Sequence, residues 1–127
     1  MQFMIRRGQP FYMNLHLARP YIAEKDDFYI TLTTGKKPRA FDKSFVHIRK
    51  VEEFDPLYQE WSYKIIDVKD NILQLEINCP ADALVAKYEM VFEDDEDIIY
   101  KHPSPLYVLF NPWNKGTIFR SSFLIKH

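Results

Sequence analysis

The stretch from Pro10 to Leu17 constrains the fold more than any other part of the sequence. Its apolar residues occupy every second position; they are Phe11, Met13, Leu15 and Leu17. A period of two places one set of side chains on a buried face and the other toward solvent, which predicts a half-buried β-strand. Gly8 stands just before this stretch, in Arg6-Arg7-Gly8-Gln9. We therefore expect a short strand, a glycine-bearing bend and then a longer strand that Pro10 opens.

The same alternation recurs along the chain, with turn-forming residues between the stretches. Strands are predicted at 3–7, 10–17, 28–34, 45–51, 61–68, 73–78, 86–93, 106–110 and 117–125. The 45–51 stretch also fits one face of a helix, and we interpret it as a strand because its neighbours are β. Eight or nine short strands with frequent turn signals are typical of a β-sandwich of two antiparallel sheets.

The phase of each strand predicts a core. The residues expected to be buried are Phe11, Leu15, Leu32, Trp61, Ile65, Leu75 and Tyr88. Trp61 is expected to fill the space between the sheets, as a tryptophan commonly does in this architecture. Tyr88 follows a polar corner just inside a late strand, which predicts a tyrosine corner whose hydroxyl binds nearby backbone. Asp70-Asn71 is predicted to be a tight turn between two strands.

Composition excludes several classes of protein. A chain of 127 residues with 46% hydrophobic residues suits one globular domain, and a net charge of −1 gives no long-range attraction for nucleic acid. No apolar run approaches the ~20 residues of a membrane helix, and Arg6 interrupts the N-terminal apolar residues too early for a signal peptide. Cys79 is the single cysteine, so we expect a cytoplasmic, reducing location. The alternative is export by a route without a signal peptide.

Cys79 is the one candidate nucleophile, with His16, His47 or His102 as its base. Nucleophilic catalysis needs a base within hydrogen-bond reach and a third, orienting group, and nothing near Cys79 in sequence supplies them. We therefore expect Cys79 to be a structural residue at a strand end, and we predict no catalytic or cofactor-binding residue in this chain.

Two charged runs are candidate ligand sites. The acidic run 93–97 offers carboxylates for Ca²⁺, but it lacks the ligand alternation and the glycine of a calcium loop, so a solvated hairpin tip is favoured and no metal site is predicted. The basic turn Lys36-Lys37-Pro38-Arg39 could contact an anionic partner, although so short a run is more often a hydrated loop.

Several motifs together resemble one known family. The opening Arg6-Arg7-Gly8-Gln9-Pro10, the corner Cys79-Pro80-Ala81-Asp82-Ala83 with Tyr88, and the exit Phe110-Asn111-Pro112-Trp113 are similar, in this order, to the N-terminal domain of transglutaminases. The resemblance implies an immunoglobulin-like β-sandwich in residues 1–113. It also implies a parent protein that is a calcium-dependent protein-glutamine γ-glutamyltransferase or an inactive relative.

The resemblance further implies that catalysis and the calcium sites belong to a separate core domain, which follows this one and which these 127 residues do not contain. The expected role is a non-catalytic module that braces that core through Asn111, Pro112 and Trp113 and offers its outer faces to matrix or other proteins. In that role, Arg6 to Pro10 and Tyr88 are structural. The alternative is a free-standing immunoglobulin-like interaction module.

Two positions depart from the family pattern. Ala86 stands where the family usually has glycine, and Asn114 stands where it usually has cysteine. Residues 114–127 do not match the family, and this tail is predicted to add an edge strand. Because its apolar residues favour burial, we expect 117–125 to pair antiparallel with 106–110, either in the same chain or in a second molecule.

Overall fold

The computed structural model describes residues 3–56, 60–94, 98–109 and 120–125, and within these ranges it contains strands and turns but no helix. The strands are β1 Phe3–Arg6, β2 Pro10–Leu17, β3 Tyr29–Thr33, β4 Phe45–Lys50, β5 Ser62–Lys69, β6 Ile72–Asn78, β7 Ala86–Glu93, β8 Ile98–Lys101, β9 Leu106–Leu109 and β10 Arg120–Ile125. The all-β prediction is confirmed, and the ambiguous 45–51 stretch is a strand. No helix in the described ranges is long and apolar enough to cross a membrane.

The strands form one continuous mixed sheet, whose path is consistent with two layers joined where β4 meets β5. Their order is β1-β9-β7-β3-β4-β5-β6-β2-β10, and β8 pairs with β7 beside this path. Between β4 and β5, the described residues pair only at Arg49 with Ser62 and Lys50 with Tyr63. This short junction separates a layer that contains β1, β9, β7, β3 and β4 from one that contains β5, β6, β2 and β10. The arrangement is consistent with the predicted sandwich, although the continuous path makes it barrel-like.

The pairing departs from the predicted antiparallel sheets at three places. β1 and β9, β4 and β5, and β2 and β10 are all parallel pairs. β1 lies at the edge of one layer. A short bend at Gly8 then leads the chain into β2, which belongs to the other layer. β9 is the parallel neighbour of β1, and β10 is the parallel neighbour of β2.

The core lies between the layers and contains most of the residues that the alternation predicted. Phe11, Leu15, Leu32, Leu75 and Tyr88 are buried, as expected. Trp61 and Ile65 are only partly buried, so that prediction was wrong for both.

Tyr63 takes the central place on β5 instead of Trp61. Its ring stacks on Phe28 with centroids 5.3 Å apart, and its hydroxyl donates to the Phe28 carbonyl at 2.5 Å. Trp61 precedes the first residue of β5, and a bulge between Ile65 and Asp67 changes the phase of the strand. A period of two cannot locate either event, because both depend on how the strand ends and bends.

The predicted partner of the tail was wrong. β10 pairs with β2 in parallel, and not with β9. The physical reason is that β9 has no open edge, since β1 lies on one side of it and β7 on the other. The outer edge of β2 is available, because β6 occupies only its inner side.

The predicted tight turn at Asp70-Asn71 is confirmed. Lys69 pairs with Ile72, and Asp70 adopts the left-handed conformation with φ 54°. The Asn71 side-chain amide donates to the Leu17 carbonyl at 2.8 Å, which ties this hairpin to the end of β2. The turn therefore lies at the end of the sandwich opposite the bend at Gly8.

Candidate domain-docking end

The bend between β1 and β2 is fixed by backbone hydrogen bonds to the corner that follows β6. Gly8 has φ 80°, a conformation that suits glycine. Its N–H donates to the carbonyls of Cys79 at 3.0 Å and Pro80 at 3.2 Å. A β-carbon at Gly8 would meet the α- and β-carbons of Ala81 at 3.5 Å, which is ordinary contact. Glycine is therefore required here by the conformation rather than by crowding.

The corner after β6 is closed by the predicted tyrosine corner. The Tyr88 hydroxyl donates to the Leu84 carbonyl at 2.7 Å, and the Tyr88 ring is fully buried. Burial raises the pKa of the Tyr88 hydroxyl to about 12. The hydroxyl therefore remains a donor at neutral pH. Ala86 pairs with Val108 and packs against the core, where its small side chain fits.

The other residues of the opening motif complete this end of the molecule. The Arg7 guanidinium lies 3.5 Å from the Ala83 carbonyl, and the Arg7 backbone N–H donates to Leu109 at 3.2 Å. Arg6 is the last residue of β1 and pairs with Leu109, and Pro10 opens β2 opposite Asn78. Gln9 lies in the bend and is half-buried. The structure thus brings together the opening and corner motifs, which are far apart in sequence; we call residues 6–10, 79–84 and Tyr88 the bend–corner end.

The exit motif follows directly from the bend–corner end. Leu109, the last residue of β9, pairs with Arg6 and accepts a hydrogen bond from Arg7. The predicted surface residues Asn111, Pro112 and Trp113 lie outside the described residues. Leu109 is the last described residue before them.

A cleft beside the bend–corner end was not predicted from the sequence. It has a volume of about 400 Å³ and lies between the first half of β4 and the corner; its lining includes Lys43, Phe45, Trp61, Pro80 and Asp82. The Trp61 ring meets the Tyr88 ring edge-on, with centroids 6.5 Å apart. Lys43 Nζ binds the Asp82 carboxylate at 3.1 Å at the rim. The one sequence signal was Phe45, an aromatic residue on the solvent phase of β4.

Cys79 lies within the bend–corner end, and its surroundings favour the structural interpretation. The side chain is buried, and the thiol contacts the Pro80 carbonyl at 3.8 Å. Burial raises the pKa of the thiol to about 12, so the nucleophilic thiolate is scarce at neutral pH.

The three histidines considered as its base are distributed over the fold. His16 pairs with Ile72, at the opposite end of the β2–β6 ladder from Asn78. His47 stacks on Tyr29 with ring centroids 4.2 Å apart, and burial lowers the pKa of His47. His102 is buried against the Phe3 ring, and its Nδ1 lies against the backbone of Ser104. The structure therefore does not assemble these histidines into one site.

The described residues of the two charged runs are partly or fully exposed. The acidic run connects β7 to β8, which pair antiparallel, and its residues 95–97 lie outside the described residues. Glu93 accepts a hydrogen bond from the Thr31 hydroxyl at 3.0 Å. In the basic turn, Lys36, Lys37 and Arg39 are exposed. Over the described ranges, no three His, Cys, Asp or Glu side chains are grouped so that they could hold a metal ion.

The comparisons with known proteins agree with the motifs. A family model described as "Transglutaminase family" matches residues 1–95. Annulin of Schistocerca americana is 30% identical over 118 residues, which cover 88% of this chain and 15% of Annulin. Human protein-glutamine γ-glutamyltransferase 2 is 31% identical over 121 residues, covering 88% of this chain and 16% of that protein. The bovine coagulation factor XIII A chain is 27% identical, with coverage of 88% and 58%.

The chain therefore spans about one sixth of the length of two of these relatives and just over half of the third. The family model covers the opening motif, the corner and the tyrosine corner, which are the features that the structure brings together at one end of the sandwich. The chain belongs to the transglutaminase family, of which it represents the N-terminal β-sandwich domain.

Proposed function

We propose that this chain is the non-catalytic module of a protein-glutamine γ-glutamyltransferase type of protein, and that it braces a catalytic core through the bend–corner end and the exit residues Asn111 to Trp113. In this proposal the calcium-dependent chemistry belongs to the core, and the chain itself needs no cofactor. Matrix or other proteins are the proposed partners of its outer faces.

The observation that carries the proposal is the convergence at the bend–corner end. The backbone of Arg7 and Gly8 binds both the exit strand, at Leu109, and the corner, at Cys79 and Pro80. These hydrogen bonds hold Leu109, the last residue of β9, against the bend. Since a docked domain needs a defined orientation at its interface, fixed backbone at the exit supports a bracing role.

The sharpest test is a domain exchange. Residues 1–113 of this chain would replace the aligned N-terminal region of human protein-glutamine γ-glutamyltransferase 2, and calcium-dependent incorporation of an amine into a glutamine-bearing protein would be measured. We expect the chimera to retain activity within about tenfold of the parent, and to unfold at a higher temperature than the parent without its N-terminal region. Equal stability and activity of the chimera and the deleted parent would overturn the bracing role.

A matched pair of variants locates the interface. Truncating a tryptophan at a buried interface typically costs ~2–4 kcal/mol. Trp113→Ala should therefore lower the stability of the chimera. Val68→Ala should leave it unchanged, because Val68 is 43% exposed on β5, next to the turn at the opposite end of the sandwich. Equal effects of the two substitutions would place the interface elsewhere.

The chain alone should fail to incorporate amines in the same assay with calcium present. Activity of the purified chain that is lost in Cys79→Ser would contradict the non-catalytic role. The second candidate is a free-standing interaction module, which the closure of the β2 edge by β10 favours. It would be supported if the isolated chain showed a cooperative unfolding transition and if the chimera were no more stable or active than the parent without its N-terminal region.

A further inference from the structure

The pairing of β10 with β2 shows that the outer edge of β2 accepts a parallel strand. The register runs without a shift from Arg120 opposite Tyr12 to Ile125 opposite Leu17. On its other side β2 pairs antiparallel with β6 over nearly the same length. The acceptor strand has no bulge in either ladder, and a long ladder that does not involve β10 holds it in place.

The register defines what an added strand must carry. Phe123 stands opposite Leu15 and Ile125 opposite Leu17, and both leucines are buried core residues. Arg120 stands opposite Tyr12, and Tyr12 stands opposite Glu76, whose carboxylate accepts a hydrogen bond from the Tyr12 hydroxyl at 3.5 Å. Lys64 Nζ lies 3.9 Å from the same carboxylate, so this row already contains both charges, and the position opposite Tyr12 suits a polar residue.

The backbone hydrogen bonds of a parallel pair do not depend on whether the two strands belong to one chain. Here residues 110–119 connect β9 to β10. About ten residues can span at most ~33–36 Å, and a short connection of this kind gives an effective concentration on the order of millimolar. The chain's own segment therefore occupies the edge of β2 against any competitor at lower concentration.

We propose that the outer edge of β2 is a binding site for an extended peptide that adds as a parallel strand, and that residues 120–125 keep this site closed within the chain. The peptide that fits has a polar residue opposite Tyr12 and apolar residues opposite Leu15 and Leu17. This site is separate from the bracing role proposed above, because the edge of β2 and the exit of β9 belong to different layers.

The test opens the site in the full-length chain. Proline has no N–H to donate, and in a parallel pair alternate residues face the neighbouring strand, so Ser121→Pro with Ser122→Pro removes a donor in either phase. The probe is a fluorescent synthetic peptide of residues 118–127. We expect the double variant to bind it at least tenfold more tightly than the unchanged chain, with slowed amide exchange at Tyr12 to Leu17.

The matched control is the same peptide with both prolines, which should bind neither chain. Equal affinity of the probe for the two chains, no binding to the double variant at 1 mM peptide, or protection of a different strand would each overturn the proposal. The folded state of the double variant is checked by its thermal unfolding transition.

A second experiment does not depend on how well the proline variant folds. In a Cys79→Ser background, His16→Cys with Leu124→Cys places two thiols at paired positions, and mild oxidation should link them within one chain. Val68→Cys with Leu124→Cys is the control, because β6 and β2 lie between β5 and β10. No link in the first variant, or equal links in both, would show that the register is wrong and would remove the proposed site.

Discussion

At the scale of single residues, Gly8 and Tyr88 hold the bend–corner end by different means. Gly8 contributes a backbone conformation, with φ 80°, that lets its N–H reach two carbonyls of the corner. Tyr88 contributes one hydrogen bond from a buried hydroxyl to the Leu84 carbonyl. Each therefore has a substitution that removes its contribution while changing little else.

We predict that Gly8→Ala and Gly35→Ala each lower the free energy of unfolding by ~1–2 kcal/mol, because both glycines have φ 80° and alanine is strained there. Nothing lies within 4 Å of a β-carbon at Gly35, and a β-carbon at Gly8 would make only ordinary contact. The two losses, measured by urea unfolding, should therefore be similar. A much larger loss at Gly8 would mean that crowding against Ala81, and not only the backbone conformation, requires glycine at this position.

Tyr88→Phe should lower the free energy of unfolding by ~1–3 kcal/mol, because the Leu84 carbonyl loses its donor while the ring remains. Tyr107→Phe on β9 is the control, since Tyr107 is half-buried. Thermal unfolding of both variants checks this prediction. An equal, small effect of the two substitutions would contradict the role of the tyrosine corner.

At the scale of elements, β5 shows how one strand serves both layers. Its first residues pair with β4, and its whole length pairs with β6. Tyr63 projects into the core at the junction, whereas Ile66 and Val68, beyond the bulge, are exposed. Position at the junction, rather than the size of the ring, therefore decides that Tyr63 is buried and that Trp61 is only partly buried.

For this reason Tyr63→Ala should destabilise the domain far more than Trp61→Ala. Truncating a fully buried aromatic residue typically costs ~3–5 kcal/mol, while Trp61 is partly exposed and should cost clearly less. Urea unfolding midpoints of the two variants provide the comparison. The reverse order would show that Trp61 is the central core residue, as the alternation alone had predicted.

At the scale of the whole molecule, the burial of two ionisable side chains, His102 and Cys79, makes stability depend on pH on both the acidic and the alkaline side. Burial lowers the pKa of His102. Below about pH 6.5 the unfolded chain therefore binds more protons than the folded chain, and stability decreases as the pH is lowered. Burial raises the pKa of Cys79 from 9.0 to about 12, so above pH 9 the unfolded chain loses its proton first and stability falls as pH rises. The most stable range lies between these limits.

The alkaline limb can be assigned to Cys79. Cys79→Ala should reduce the fall in stability between pH 9 and 10, while the buried tyrosines, whose pKa values are raised from 10.0, leave a remaining fall that is common to both chains. The measurement is the urea midpoint as a function of pH for both chains. The same slope in both over this interval would contradict the assignment.

Much of the fold follows from the sequence itself because it depends on neighbouring residues. Alternation over Pro10 to Leu17 determines which side chains are buried, and Asp70-Asn71 determines a turn, since both effects act within a few residues. The motifs identified the family, and the tyrosine corner followed from the place of Tyr88 after the corner. All of these are local properties.

Only the tertiary structure decided which strands are neighbours. β10 pairs with β2 because β1 and β7 occupy both edges of β9, and no local pattern in 117–125 records that occupation. Likewise, Tyr63 rather than Trp61 fills the core because β5 starts at the junction with β4. The cleft beside Trp61 and the convergence at the bend–corner end arise in the same way. Pairing between distant strands depends on which edges the rest of the chain leaves open, and that is settled only when the whole chain is folded.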